Sequence, residues 1–359
     1  MILLPRLGQT QLPGLNEKSV SLPYLERSLI LNQHQQLVDP YGRKFPYLRL
    51  SLTDVCNFSC DYCLPDGYKC ETKKEFLSLN EIKNTVAAFA ELGTHKIRLT
   101  GGEPTLRKDF VDCIEILNNT SGIDQIALTT NGYKLQENIQ KWVNAGLTHL
   151  NVSVDTLDPN LFNSLTGHNR LKQILQGIDY ALTLPLKKIK LNAVLLKDIN
   201  SHQFDQYTSL IKNKNLSIRF IELMQTGDNF DYFNQYHVSS QVLKNYLFAN
   251  GWTEKLKEKS SGPAIEYIHP EYQGSFGIIA PYSKNFCDTC NRLRMSSTGD
   301  FHLCLFGEQG FSVRNLMQSE SQKEQLKLLL CELLSHKRKQ HFLHDNDTGI
   351  TPNLSSIGG

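Results

Sequence analysis

This sequence lacks several features that would assign it quickly to a class. No window approaches the run of about 18 apolar residues that a membrane-spanning helix needs, and no GxGxxG motif follows a predicted strand. An excess of charge is also missing, since 38 basic and 36 acidic residues give a net charge of +2. This balance argues against nucleic acid or membranes as bulk electrostatic partners, so an anionic ligand has to be held by a local group of cations.

The pattern of a secretory signal is also absent, because the opening run Met1-Ile-Leu-Leu is followed by Pro5 and Arg6. We therefore expect a reducing compartment, the cytoplasm by default, where disulfides are rare. The length of 359 residues allows about two domains, and 40% hydrophobic residues suffice for a substantial core. Residues 1–36 carry no interpretable motif and are predicted to be a flexible extension.

What the sequence does contain is nine cysteines, six of which form two triplets. The first triplet follows a strand-like run in CxxxCxxC spacing and consists of Cys56, Cys60 and Cys63. The second consists of Cys287, Cys290 and Cys304. Three thiolates can bind three irons of a cubane cluster and leave the fourth iron open, so the first spacing predicts an iron–sulfur cluster. The second triplet repeats the pattern, again without an obvious fourth cysteine.

Structural zinc is the alternative at both triplets, because zinc accepts three cysteines and one histidine and often uses CxxC turns. His302 would be the nearby fourth ligand at the second triplet. No histidine is near Cys56 or Cys63 in the sequence, and this makes zinc the weaker interpretation there. The remaining cysteines are predicted to be unligated thiols; they are Cys70, Cys113 and Cys331.

Short β-branched runs alternate with stretches of helical period between Tyr47 and about Tyr246. Such a rhythm indicates βαβ units and a parallel sheet. The predicted strands are 47–53, 95–100, 125–130, 149–155, 188–195 and 217–223. We therefore predict an α/β protein in which residues 37–246 form a partial (βα)6 TIM-like barrel. Residues 247–359, with their Gly and Pro punctuated β-like segments, are predicted to form a C-terminal α+β module that carries the second triplet.

Residue types suited to binding and catalysis cluster near the carboxyl ends of these strands, where β/α barrels place their chemistry. The motif Gly101-Gly-Glu-Pro104 follows the second strand, and Thr129-Thr-Asn-Gly132 follows the third. The corresponding residues of the last three strands are Ser153, Asp155, Lys190, Asn192, Glu222 and Met224. We expect the active site at this end of the barrel.

The CxxxCxxC loop, with aromatic Tyr62 before its last cysteine and Gly101-Gly-Glu-Pro104 after the next strand, resembles the radical S-adenosylmethionine (SAM) superfamily. Within it, Phe286-Cys-Asp-Thr-Cys-Asn-Arg-Leu-Arg294 and the terminal Ile357-Gly-Gly359 are similar to the GTP 3′,8-cyclase family of molybdenum cofactor biosynthesis. The resemblance implies two [4Fe-4S] clusters, the first of which reduces SAM to give an adenosyl radical. It also implies that the open iron of the second cluster binds the guanine base of GTP.

The resemblance further assigns roles to individual positions. The SAM contacts that it implies are Tyr62, Gly102, Ser153 and Met224. The GTP contacts are Arg49, Lys96, Arg98, Thr129, Lys190, Arg292, Leu293 and Arg294. Clustered arginines suit a triphosphate, because their planar forks match phosphate oxygens. The tail residues Gly358 and Gly359 are expected to thread into the active site, and no residue is assigned as a general acid or base.

The implied reaction removes hydrogen from C3′ of GTP and joins C3′ to C8, giving 3′,8-cyclo-7,8-dihydro-GTP. The implied partners are an electron donor, a downstream cyclic pyranopterin monophosphate synthase and a second copy of the chain in a homodimer. A peptide-modifying radical SAM enzyme with an auxiliary cluster is the alternative, although such enzymes usually carry more C-terminal cysteines. A zinc-stabilised module that binds nucleotides or nucleic acid without chemistry is the alternative from another class; it predicts a colourless protein.

Overall fold

The computed structural model describes residues 36–69, 74–256, 262–307, 310–345, 347–349 and 357. The strands β1 to β6 are Tyr47–Ser51, Lys96–Thr100, Gln125–Thr130, His149–Ser153, Lys188–Leu195 and Ser217–Glu222. The strands β7 to β12 are Thr253–Glu254, Ile265–Ile268, Ser275–Ile279, Arg292–Met295, Asp300–His302 and Phe311–Ser312. The helices α1 to α9 are Leu79–Glu91, Phe110–Asn118, Leu135–Asn144, Pro159–Thr166, Leu171–Ala181, Phe204–Ile211, Phe230–Tyr236, Gln241–Ala249 and Lys323–Leu334.

All described strands join one sheet in the order β12-β11-β10-β1-β2-β3-β4-β5-β6-β9-β8-β7. The strands β1 to β6 are parallel neighbours in sequence order, with helices between them. The prediction of six βα units and of an α/β partial barrel is therefore confirmed. Two predicted strands end two residues early, at Ser51 and Ser153, where the functional loops begin.

Alternation along the strands separates a helix-covered face from a polar face. Leu48 and Leu50 of β1 are fully buried and belong to the same core as Val86 and Phe89 of α1. Between these leucines, Arg49 points to the opposite face of the sheet, as strand geometry requires. The polar faces of neighbouring strands are in register, and they form the inner wall of the partial barrel.

The segment beyond residue 246 supplies both edges of this sheet. Strand β10 pairs in parallel with β1, and β9 pairs in parallel with β6. Antiparallel β11 and β12 continue from β10, and β8 and β7 continue from β9. The predicted C-terminal module thus shares one sheet with the barrel, and a domain boundary at residue 246 stays a prediction.

Helix α1 is fixed at its start by a capping box between Ser78 and Glu81. The Glu81 carboxylate also accepts hydrogen bonds from Arg314 and Gln318, which precede α9. These contacts tie the C-terminal segment to the helical layer. No helix in the described ranges combines the length and the apolarity that a bilayer span needs.

Candidate active site

The loop of the first cysteine triplet is held in place by a ring contact and by hydrogen bonds to other parts of the chain. Phe58 is 3% exposed and stacks on His168 with ring centroids 4.7 Å apart. The His168 ring donates from Nε2 to the Asn57 carbonyl oxygen at 2.6 Å. Asn131 donates from Nδ2 to Asn57 Oδ1 at 2.9 Å, and the same nitrogen lies 4.0 Å from Cys56 Sγ. The thiols are thereby held on an ordered loop at the carboxyl end of β1.

Glu103 links the turns that follow β2 and β3. Its buried carboxylate accepts hydrogen bonds from the N–H and hydroxyl of Thr105, from the Thr130 hydroxyl and from the Asn131 N–H. Burial raises the pKa of this carboxyl group, while these donors favour its charged form. The Gly-Gly-Glu-Pro and Thr-Thr-Asn-Gly motifs, which the sequence places on separate turns, therefore act as one support under the cysteine loop.

The glycines of the first motif are required by a close approach of two backbones. A Cβ atom at Gly101 would overlap the Thr53 carbonyl oxygen, and one at Gly102 would overlap the Val55 carbonyl oxygen. The Gly102 N–H donates to the Thr53 oxygen at 2.9 Å, and the Glu103 N–H donates to the Val55 oxygen at 2.7 Å. The turn after β2 is thus bonded directly to the entry of the cysteine loop. The implied contact of Gly102 with SAM stays a prediction.

The donor set of the first triplet fits an iron–sulfur cluster. Cys56, Cys60 and Cys63 are half-buried thiols outside any disulfide. Burial first, and then the charges of Asp155, Cys63 and Cys56, raise the pKa of the Cys60 thiol well above its usual range. Three thiolates placed this close repel one another, so their ionised form requires positive charge between them, as cluster irons provide.

Tyr62 is oriented by a carboxylate at the end of β4. Its hydroxyl donates to Asp155 Oδ2 at 2.9 Å, while Asp155 Oδ1 accepts the Val194 N–H at 2.8 Å. Burial raises the pKa of Asp155 to about 6, although the hydrogen bonds from Val194 and Tyr62 act to lower it. The phenol hydrogen of Tyr62 is thus committed to Asp155, and the ring remains available for contact with a ligand. Ser153, two residues before Asp155, ends the same strand.

A cavity of about 240 Å³ lies against the polar face of the sheet. Seven arginine and lysine side chains line it, and none of its lining residues in the described part is an aspartate or glutamate. The cations are Arg49, Lys96, Arg98, Lys190, Arg219, Arg292 and Arg294. Such a wall, in a protein of nearly zero net charge, suits a highly charged anion.

Most of the implied GTP contacts are brought together here. Thr129 also lines the cavity, and its hydroxyl accepts from Arg98 Nη1 at 3.1 Å. Leu293 does not line it, because this side chain is 1% exposed and lies on the apolar face between Arg292 and Arg294. Any contact from Leu293 would have to come from its backbone. Met224, implied as a SAM contact, also lines this cavity.

The second cysteine triplet opens onto the same cavity, since Cys287, Cys290 and Cys304 all line it. Burial and the charges of Cys304 and Cys290 raise the pKa of Cys287. Burial acts in the same direction on Cys290, but the positive charges of Arg292 and Lys337 lower the pKa of its thiol. The positive charges beside Cys290 therefore favour the thiolate form of this one thiol.

His302, the expected fourth ligand of a zinc ion at the second triplet, does not line the cavity that contains the three thiols. Within the described ranges, no three His, Cys, Asp or Glu side chains are gathered around a single ion position. The preference for a cluster over zinc at this triplet stays a prediction.

The positive side chains of the cavity lie close enough together to lower the pKa of Lys190. Burial, followed by the charges of Arg219, Arg98, Lys188 and Lys96, lowers the pKa of Lys190 to about 5. Arg219 is 11% exposed and donates from Nη2 to Glu266 Oε1 at 2.9 Å. The Lys190 amine is therefore mostly neutral at neutral pH, and an anion that enters the cavity would favour its charged form.

Sequence reasoning missed three lining residues, Tyr47, Asn192 and Arg219, as GTP-site candidates. Their signal was present, because each is a polar residue at an inward position of an alternating strand. The search for residues at strand ends overlooked Tyr47 and Arg219, and it found Asn192 without assigning it to GTP. Arg49, Arg98 and Lys190 likewise lie within their strands and not at the ends.

The carbonyl oxygen of Ile357, 5% exposed, accepts a hydrogen bond from Arg294 Nη1 at 3.0 Å. The penultimate part of the chain thus reaches a cation of the cavity. Gly358 and Gly359, predicted to thread into the site, lie outside the described residues.

Comparison with known proteins shows which families share the sequence and the fold of this chain. A model of the Radical SAM superfamily matches residues 50–211, and a model named Molybdenum Cofactor Synthesis C matches residues 216–343. The structure of Streptococcus suis SuiB bound to S-adenosylmethionine is similar at TM-score 0.56 and 14% identity, over 84% of this chain and 71% of that one. This likeness shows the fold alone. The fold and the matched regions define a radical SAM protein.

Two curated relatives narrow the assignment. The GTP 3′,8-cyclase of Photorhabdus laumondii is 52% identical over 325 residues, which are 90% of this chain and 99% of the relative. That of Vibrio atlanticus is 50% identical over 327 residues, 90% of this chain and 98% of the relative. The chain belongs to the GTP 3′,8-cyclase family. The resemblance inferred from the motifs is confirmed, and the peptide-modifying alternative is not favoured.

Proposed function

We propose that this protein converts GTP to 3′,8-cyclo-7,8-dihydro-GTP, the first step of molybdenum cofactor biosynthesis, in the cavity on the polar face of the sheet. Family membership supplies the reaction. The observation that carries the location is the joint lining of one cavity by seven cations and the second cysteine triplet. The triphosphate and the base of one nucleotide can be held by these two groups together.

Cys56, Cys60 and Cys63 would hold the first [4Fe-4S] cluster, and SAM would contact Tyr62, Gly102, Ser153 and Met224. When bound, this cluster supplies the electron that cleaves SAM to the 5′-deoxyadenosyl radical. The chain keeps the thiols in place through Phe58, Asn131 and Glu103. Asp155 holds the Tyr62 ring beside them.

Cys287, Cys290 and Cys304 would hold a second [4Fe-4S] cluster with an open position for guanine. The residues that would bind the rest of GTP are Arg49, Lys96, Arg98, Thr129, Lys190, Arg292, Leu293 and Arg294. Each charge-assisted hydrogen bond to phosphate contributes about 1.5–3 kcal/mol. Met224 lines the cavity and is also an expected SAM contact, so it marks where the two substrates would meet. There the adenosyl radical would take hydrogen from C3′, before C3′ attacks C8.

The wider setting is also part of the proposal. A homodimer in the cytoplasm would receive electrons from a separate donor and pass its product to a cyclic pyranopterin monophosphate synthase. The eight cysteines of the described part are all outside disulfides, which is consistent with a reducing compartment.

Anaerobic reconstitution followed by iron and sulfide counting tests the two-cluster arrangement. We expect about eight irons per chain, falling to about four in Cys304→Ala. Cys331→Ala, in helix α9 away from both triplets, is the matched control and should keep all of them. Addition of GTP to the reduced protein should change its EPR spectrum. Zinc at either triplet, or an EPR spectrum indifferent to GTP, would contradict the proposal.

A further inference from the structure

Tyr47 occupies an unusual position for a tyrosine, because it stands among cations and no aspartate or glutamate of the described residues lines the cavity with it. Its hydroxyl accepts a hydrogen bond from Arg98 Nε at 2.5 Å. Its ring lies under Lys96, with the ammonium nitrogen 5.2 Å from the centroid. In the sheet its register partners are Lys96 on one side and Arg292 on the other. The phenol is therefore enclosed by positive charge from three adjacent strands.

The cavity offers few other sources of negative charge. Besides its seven arginine and lysine side chains, the titratable lining groups of the described part are His95, His341 and the three thiols of the second triplet. Glu266 lies behind Arg219 and is already bonded to Arg219 and Lys188. Once the thiols are bound to iron, Tyr47 is the lining group that can still become an anion by losing a proton.

The electrostatic balance at Tyr47 favours that loss. Burial by itself raises the pKa of the phenol, but the charges of Arg98, Arg49 and Lys96 and the bond from Arg98 together lower it to about 7. The same interaction acts on Arg49, whose pKa burial lowers and Tyr47 raises. Phenolate and guanidinium groups thus stabilise each other while the cavity holds no other anion.

We infer that Tyr47 is a proton-exchanging counter-ion of the triphosphate site: its phenolate holds Arg49 and Arg98 in the substrate-free enzyme, and triphosphate binding returns a proton from solvent to its oxygen. This inference rests on the proposed GTP site. Phosphate oxygens bind the same guanidinium groups with more charge than a phenolate can offer. Two anions that compete for one set of cations repel each other, so the stronger base, the Tyr47 phenolate, takes up a proton from solvent and becomes neutral. Tyr47 is a positioning residue in this account, because it acts through Arg49 and Arg98.

Calorimetric titration of the anaerobic holoenzyme with GTP, without SAM, measures the proton exchange directly when repeated in buffers of different ionisation enthalpy. At about pH 7 close to half of the Tyr47 side chains are ionised, so wild type should take up about half a proton more than Tyr47→Phe. Proton exchange by Lys190 and by GTP itself is common to both proteins and cancels in the difference. Tyr180→Phe, an exposed tyrosine bonded to Gln140, should match wild type.

The pH dependence of binding gives a second readout that a purely structural role would not move. Because GTP favours the protonated phenol, its affinity for wild type should fall above about pH 7, approaching tenfold per pH unit once Tyr47 is fully ionised. Tyr47→Phe should lack the part of this fall that comes from Tyr47 and keep the part that comes from Lys190, so its pH profile should be shallower. Equal proton uptake and equal pH profiles in the two proteins would overturn the inference.

A third measurement needs no variant and covers the case in which Tyr47→Phe fails to fold. Inorganic tripolyphosphate, which has no near-ultraviolet absorption, should abolish the tyrosinate band in a difference spectrum of the wild-type holoenzyme. A band that persists at saturating tripolyphosphate would count against the inference. Loss of the band with tripolyphosphate, combined with no binding of GTP, would support the counter-ion role and contradict the proposed function.

Discussion

The carboxylate of Glu103 accepts the backbone N–H of Asn131 at 2.6 Å, and this bond joins the turn after β2 to the turn after β3. Asn131 in turn reaches the loop of the first cysteine triplet. Two motifs separated by more than twenty residues in the sequence are therefore one structural unit.

Glu103→Gln should destabilise the protein. The amide replaces one acceptor oxygen by a donor, and this donor would face groups that are themselves donors. We expect a loss of about 1.5–3 kcal/mol, typical of a buried hydrogen bond to a charged group. Thermal unfolding of the anaerobic holoenzyme measures the loss. Glu115→Gln on the exposed side of α2 is the control, and an equal midpoint for both variants would contradict the role of Glu103.

Glu81 should make stability depend on pH in the acidic range. Burial acts to raise its pKa, but Arg314, the Ser78 N–H and Gln318 lower it from 4.5 to about 2. A carboxylate with a depressed pKa in the folded state stabilises the fold above its unfolded pKa and loses that effect as the pH falls. The difference in melting temperature between wild type and Glu81→Gln should be full near neutral pH and shrink between about pH 4.5 and about pH 2. A constant difference across this range would refute the prediction.

Tyr62 should serve SAM through its ring. Because its hydroxyl is bonded to Asp155, Tyr62→Phe removes one hydrogen bond, worth about 0.5–1.5 kcal/mol, and keeps the aromatic surface. Tyr62→Ala removes both, and we expect its SAM affinity to be lower than that of Tyr62→Phe by about tenfold or more. Equilibrium binding of SAM to the unreduced holoenzyme compares the two. Equal losses would show that the hydroxyl, and not the ring, is decisive.

Glu266→Gln should make the protein more dependent on its substrate. The carboxylate is bonded to Arg219 and Lys188, so its removal leaves the nearly buried Arg219 without its counter-ion. Such a loss costs about 3–5 kcal/mol for a buried pair and less at this partial exposure. GTP can replace the missing charge, and it should therefore raise the melting temperature of Glu266→Gln more than that of wild type. Glu254→Gln, exposed on β7, is the control; an equal increase in all three proteins would contradict the prediction.

Local patterns were sufficient for much of the fold. Period-two runs such as Tyr47–Ser51 and the capping box of Ser78 and Glu81 specify their elements within a few residues of chain. The spacing of Cys56, Cys60 and Cys63 likewise lies within one loop. Such signals act through neighbours in the sequence, and the predicted strands therefore agree with the structure to within two residues.

Arg219 and Tyr47 show why the cavity was only partly foreseen. Each is an ordinary polar residue in a strand, and whether it lines a binding site depends on which strands lie beside it in the sheet. Strand β10 completes the polar wall when it pairs with β1 and brings Arg294 beside Arg49, two residues 245 positions apart.

The alternation of strands and helices, the two cysteine triplets and the family could all be read from the sequence, because each depends on short-range spacing along the chain. The tertiary structure alone decided that the C-terminal strands complete the sheet and that Cys287, Cys290 and Cys304 share a cavity with the cations of the barrel. Pairing between distant strands depends on which edges and apolar faces remain uncovered once the whole chain has collapsed. No local pattern carries that information.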